Sequence, residues 1–329
     1  MVYRGKMKKS FVDTFRRWML PTAMVLGISL YLVYQAWDFL RPIGPFCHAV
    51  ASHGQIFLIG VLLFFQFVKV SPHDLKPRRW HLYALLVQTL SFLALALVAS
   101  RLPSGSLRIL AECGMICMIC PTASAAGVIT DRLGGSIAGT VTYLVITNIA
   151  ATFLIPMVIP LVQPSATLGF WPYVGSIALK IFPVLILPSA LAWTVRYTMP
   201  RLQRKLMRWA PNTFYVWGVS LSLAMVLATR AFVLSRLDGW TVVGIVGVSL
   251  LATAVQFKVG RALGKPHGEA ATVTSGQALG QKNTGFLIWL GYNYLTPVTS
   301  VAGGLYAIWQ NLFNSWELWQ KEKAGQRKG

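Results

Sequence analysis

The stretches CGMICMICPTASAAG at positions 113–127 and TSGQALGQKNTG at positions 274–285 are small, polar and interrupted by proline or glycine, yet each lies inside an otherwise apolar run. A lipid-facing helix cannot hold such chain. No water reaches the hydrocarbon to take up freed backbone groups, so irregular backbone at that depth must be buried in protein or line a cavity. Working outward from both, the chain divides into ten apolar segments: 18–36, 54–70, 80–99, 107–129, 136–163, 172–198, 213–233, 240–257, 270–290 and 292–312. Roughly 20 apolar residues suffice for a helical span. Porin-like alternation is absent, so the expected fold is an all-α polytopic membrane protein with ten transmembrane helices. In a five-plus-five division each interrupted segment is the fourth of its half, and the halves run in opposite directions because five is odd. Matched interruptions of this kind mark two inverted five-helix repeats whose broken helices 4 and 9 cross in the core, as in secondary transporters. The repeat is inferred from layout, since the halves share no convincing residue-by-residue similarity.

Charge supports the same division. Of the 30 Lys and Arg residues, 23 collect in the amino-terminal arm and in every second loop, while the alternate loops and segment ends hold only Arg41, Arg101, Arg108, Arg230 and Arg236. The positive-inside rule then places both termini in the cytoplasm, in a plasma or bacterial inner membrane. A net charge of +21 suggests nucleic acid in a soluble protein; here it reports topology, and the basic loops face membrane lipids instead. With 12% charged residues and a mean hydropathy of +0.57, no large soluble domain fits, so residues 1–329 read as one transmembrane domain. It comprises a cytoplasmic arm (1–17), a first repeat (18–163), a second repeat (172–312) and a cytoplasmic tail (313–329). The first apolar stretch, from Trp18, lacks a small-residue exit and is expected to stay as the first span. Gly303 and Gly304 weaken the last segment, and Trp309, Trp316 and Trp319 read as an interfacial belt.

Around these segments the chain resembles the bile acid:sodium symporter family of the bile/arsenite/riboflavin transporter superfamily. The second span and its exit, IGVLLFFQFVKVSPHDL at 59–75, are similar to that family's glycine-rich helix followed by a Ser-Pro-x-Asp turn. Cys120-Pro121 with Val128-Ile129-Thr130 resembles its Cys-Pro-Gly-Gly-Thr-x-Ser-Asn-Val stretch, and Gly280 with Asn283-Thr284-Gly285 resembles its Glu-x-Gly-x-Gln-Asn stretch. The resemblance covers nearly the whole chain in layout and only parts of each motif. It implies transport of a bile-acid-like or other carboxylate.

The departures are specific. The resemblance assigns sodium to a Ser-Asn pair in the fourth helix, a Glu and a Gln in the ninth, and a Gln in the third. Ungapped alignment places Ala126 and Gly127 at the Ser-Asn pair, Ala278 at the Glu and Lys282 at the Gln, leaving Gln88. Sodium wants oxygen donors, and an ammonium repels it. The expectation is sodium-independent transport in which Lys282, on a flexible stem four residues from Ala278, supplies the positive charge. A buried lysine is also able to carry a transported proton. The competing reading is a lysine that snorkels or pairs statically.

The expected substrate or coupling residues are Lys282, Gln88, Thr122, Ser124, Gln277, Gln281, Asn283 and Thr284, with helix breaks at Pro121, Gly127, Gly280 and Gly285. Part of this polar set is expected to be helix-to-helix glue. Arg108 and Glu112, one turn apart, read as a salt bridge, and Lys180 as a snorkelling side chain. Cys113, Cys117 and Cys120 share a helix face and read mainly as small packing residues; an arsenite-type efflux permease is the alternative they keep open. A non-transporting sensor or scaffold is the third reading. His48, His53, His73, His81 and His267 lie in or beside expected loops without metal spacing, and no nucleophile or carboxylate constellation points to an enzyme, a metal or another cofactor. The implied partners are a small organic anion and lipid, and the sequence sets no oligomeric state.

Overall fold

The computed structural model describes Met19 and residues 21–326; the arm at 1–17 and positions 327–329 lie outside the described residues. Among the described residues the chain is helical, with no strand beyond one isolated bridge. In order the helices are α1 (Pro21–Ala36), α2 (Gly44–Val68), α3 (Arg79–Arg101), α4 (Ser106–Ile119), α5 (Ala126–Arg132), α6 (Ile137–Val162) and α7 (Phe170–Leu185). They continue as α8 (Leu187–Thr198), α9 (Pro200–Trp209), α10 (Thr213–Ser235), α11 (Gly239–Gly264), α12 (Glu269–Gly280), α13 (Thr284–Tyr294) and α14 (Ser300–Gln326). Six segments are long and apolar enough to cross a membrane: Asp38–Val68, Arg79–Arg101, Ile137–Val162, Phe170–Thr198, Pro200–Ser235 and Gly239–His267. The protein is therefore an all-α, membrane-type chain.

Local chemistry sets the ends. After α2 ends, Ser71 opens the short turn Pro72–Asp74 with a reciprocal cap, its hydroxyl accepting from the His73 N–H at 3.4 Å while the Asp74 carboxylate accepts from the Ser71 N–H at 3.3 Å. Ser136 caps α6 through the Gly139 N–H at 3.2 Å, and Asp238 caps α11 through the Thr241 N–H at 3.2 Å. α4 stops because Pro121 drives Cys120 out of the helical region, to φ −53° and ψ 132°.

Several expected boundaries move. The second span starts at Gly44 rather than 54, because Pro45 sits at a first-turn position that tolerates proline, and this draws His48 and His53 into a helix. His81 is likewise helical and buried, with Nε2 3.0 Å from the Gly139 carbonyl oxygen. The basic stretch expected as a loop at 199–212 contains α9, whose Arg201, Arg204, Lys205 and Arg208 gather on one exposed face. The last span does not begin at 292: α13 runs to Tyr294, a short turn follows, and α14 extends through most of what was expected to be the tail. Gly303 does not weaken α14. A Cβ there would meet the Ile288 side chain at 2.6 Å, so glycine is what allows α14 to approach α13. Trp309 is half-buried, its indole N–H donating to Ser249 Oγ at 3.1 Å, while Trp316 and Trp319 are exposed.

The main apolar core is built from α2–α4, α6–α8, α11, α13 and α14. α2 packs on α8 and α10, α1 packs on α10, and α3–α6 pack with α11–α14; α7 joins the two sets, lying chiefly on α6, while α13 meets α2 and α10 at the join and α14 meets α10. Contact between α11 and α12 is the most extensive in the chain, and glycines make it close: Cβ atoms added to Gly260 or Gly276 would strike the opposite helix.

Candidate functional site

The two interrupted segments meet. Thr122 and Lys282 form an antiparallel bridge, with the Ala123 N–H donating to the Gln281 carbonyl at 3.0 Å and the Asn283 N–H to the Pro121 carbonyl at 2.8 Å. Each break thus satisfies the backbone of the other. Thr122 adds a hydroxyl bond to the Ala278 carbonyl at 2.7 Å, and its own N–H donates to Thr147 Oγ1 at 3.3 Å. The Gly280 carbonyl accepts from the Tyr306 hydroxyl at 2.7 Å, which meets the need of an orphan carbonyl at the end of α12. Asn283 caps α13 by accepting from the Phe286 N–H at 3.2 Å. The breaks are shorter than expected. Gly127 is already helical in α5, Gln277 and Gly280 belong to α12 and Gly285 to α13, because one proline and a mutually paired pair of extended segments need few residues.

Lys282 sits at the crossing with 0% exposure. Its ammonium donates to Gln88 Oε1 at 2.9 Å. That oxygen also accepts from the Tyr143 hydroxyl at 3.1 Å, while Gln88 Nε2 donates to the Ile119 carbonyl at 3.1 Å. Gln310 clamps the lysine backbone, accepting from its N–H at 2.9 Å and donating to its carbonyl at 3.3 Å. No carboxylate pairs with the ammonium: the ion pairs among the described residues are Arg41–Asp38, Arg108–Glu112 and Arg261–Glu317. Its ionisable neighbours are Cys117 and Cys120, and the Cys120 thiol is engaged with the Asn283 carbonyl at 3.0 Å.

Other expected residues have different roles. Gln281 donates to Gln277 Oε1, Gln277 donates to Glu317 Oε2 at 2.6 Å, and Glu317 pairs with Arg261. This line of side chains runs from the break to the half-exposed Arg261 at the far end of α11. Ser124 is half-buried with no hydrogen-bond partner among the described residues, and buried Thr284 occupies the first turn of α13. Lys180 is exposed on α7. Glu112 is fully buried and lies in its salt bridge with Arg108 at 3.2 Å, as its spacing implies, and also accepts from Gln163 at 2.7 Å and from the Thr296 N–H at 2.9 Å. It does not reach Lys282.

No family model matches the chain, and no curated protein matches it in sequence. Two of the positions that the resemblance assigns to sodium, Ala278 and Gly127, are packed by hydrocarbon. Ala278 lies in a cluster with Trp80, Ala84, Tyr143 and Leu279, and a Cβ on Gly127 would rest on Ile137 and Val141 at 3.5 and 3.7 Å. Among the described residues no three His, Cys, Asp or Glu side chains converge as metal ligands.

Sequence reading missed Tyr143, Thr147, Gln310, Tyr306 and Glu317. Each is a polar group in or beside an apolar helix, a signal that marks helix contacts without naming the partner. Asn148, next to Thr147, is 2% exposed with neither side-chain polar atom bonded.

Proposed function

We propose that the chain is a secondary transporter of an organic anion, of the bile acid:sodium symporter type, in a plasma or bacterial inner membrane with both termini cytoplasmic. Six clear membrane segments, the two broken pairs α4–α5 and α12–α13, and helices α1 and α14 add up to ten spans. The observation that carries the reading is Lys282, a fully buried ammonium without a counter-ion at the crossing of both breaks. An unpaired buried charge costs several kcal/mol. A substrate carboxylate drawn to the crossing offsets that cost, which makes the vacant charge a binding determinant. The N-terminus of α13, which starts two residues after Lys282, adds positive potential at the same place.

Hydrocarbon packing at Ala278 and Gly127 supports transport that does not use sodium at the family positions. Asn148, with an amide that lacks partners, is a further candidate substrate contact. The full burial of Lys282 fits an occluded state, and alternating access then requires helices α2, α8 and α10 to move against the crossing. Arsenite-type efflux gains no support from the thiols: Cys113, Cys117 and Cys120 are fully buried, and among the described residues the three do not converge on one point. A sensor or scaffold role has no observation in its favour.

The test is calorimetry of the full chain in lipid nanodiscs with cholate, a steroid carboxylate, in sodium and in choline buffer. Equal affinity in both is expected, and Lys282→Gln should weaken binding by at least about tenfold. A large sodium enhancement in the unmutated protein would falsify the replacement of sodium by Lys282.

A further inference from the structure

Arg230 is a cation inside α10, five residues before that helix ends at Ser235, and it is half-buried. Its Nη1 donates to the Tyr292 hydroxyl at 2.6 Å, the one hydrogen bond of this guanidinium among the described residues. The same hydroxyl lies 2.9 Å from His48 Nε2 on α2. Tyr31 of α1, 4% exposed, and His48 both stand within electrostatic reach of the guanidinium. Three membrane helices and α1 thus converge on one cation. No carboxylate answers it: Asp38 pairs with Arg41 at 2.7 Å, and Asp238 caps α11.

Arg230 is half-buried, and its remaining donors are neither used by a hydrogen bond among the described residues nor enclosed, so they are open to a ligand. A planar fork beside a phenol and an imidazole matches a carboxylate, which takes two parallel N–H bonds from Arg and a third from Tyr or His. The apolar side chains of Ala51, Leu227 and Ala231 pack with Tyr292 and give a hydrophobic border for the body of such a ligand.

Position adds the second observation. Tyr292 lies near the end of α13 and Lys282 two residues before its start, so most of that helix, roughly 12 Å from Thr284 to Tyr292 at 1.5 Å per residue, separates them. Between them, on the His48 face of α2, Gln55 donates to the Gly285 carbonyl at 2.7 Å while its own Oε1 is buried with no donor. That oxygen is an unanswered acceptor on α2 between the two cations.

We infer that Arg230, with Tyr292 and His48, is a second carboxylate-binding site, at the end of α13 remote from Lys282 and on the same permeation path. The inference rests on the anion-transport reading above. It gives the substrate an outer station at the join where α13 meets α2 and α10, so occupancy of the outer cation precedes or follows occupancy of the inner one.

The experiment is a cholate titration of the full chain in lipid nanodiscs, with empty discs subtracted, on four proteins: unmutated, Arg230→Gln, Lys282→Gln and the double variant. The expected result is two binding events in the unmutated protein, one in each single variant and none in the double. An Arg230→Gln isotherm equal to that of the unmutated protein overturns the proposal. So does loss of all binding in Lys282→Gln alone, and so does absence of binding to the unmutated protein. A Lys282→Gln protein that keeps both events, with Arg230→Gln losing one, refutes the Lys282 reading and leaves the outer site standing. Where Arg230→Gln does not fold, Arg230→Lys keeps the charge without the fork and should weaken the outer event at least about tenfold; unchanged outer affinity refutes the site.

Discussion

Replacing Lys282 by methionine should make the protein more stable and less able to bind an anion, a combination that separates a working charge from a structural one. Methionine keeps nearly the same volume and flexibility, so the packing change is small. Gln88 loses the ammonium as a donor, but Oε1 keeps the Tyr143 hydroxyl at 3.1 Å and Nε2 keeps the Ile119 carbonyl at 3.1 Å, so no orphan is created. The lost charged hydrogen bond costs about 1.5–3 kcal/mol. Against it stands relief of an uncompensated buried charge, a penalty of about 4 kcal/mol. A net gain of about 2 kcal/mol follows. For a chain of 329 residues the unfolding entropy is about 0.7 kcal/mol/K, so Tm should rise by about 3 °C. Tryptophan fluorescence during heating of the nanodisc-held protein reads the shift, and cholate calorimetry on the same sample reads the binding loss. A fall in Tm with unchanged cholate affinity refutes the reasoning, because it is the signature of a lysine that only holds helices together.

Two further outcomes test the fold. Thr122 and Lys282 are a pair without direct hydrogen bonds between them, a geometry with Cα atoms about 4.5 Å apart that suits a disulfide; the double variant Thr122→Cys, Lys282→Cys should therefore cross-link under mild oxidation, and a failure to do so would place the breaks apart. With cytoplasmic termini, a thiol-reactive impermeant reagent added outside intact cells should, in a Cys47→Ser background that removes the exposed native thiol, label Ser104→Cys and spare Lys265→Cys, both at exposed positions, and equal labelling of the two would sink the topology.

By itself the sequence determined that this is an all-helical membrane chain, and it located both interruptions to within a few residues. Those are local quantities. A run of apolar side chains has to satisfy its own backbone in lipid, and Pro121 ejects Cys120 from a helix whatever surrounds it. The Ser71 cap and the Arg108–Glu112 pair were legible for the same reason, since each partner lies within four residues of the other. The sequence also singled out Gln88 and Lys282 one at a time. Only tertiary structure brought them to 2.9 Å across 194 residues of chain, and only it showed that the ammonium has no acid beside it. The Gln281–Gln277–Glu317–Arg261 line, the full length of α14 and the Arg230–Tyr292–His48 cluster were likewise decided by packing. Polar side chains in lipid must find partners, but which partner they find depends on how closely helices approach. That approach is set by small residues such as Gly260, Gly276 and Gly303, whose missing side chains take effect only when two distant helices meet.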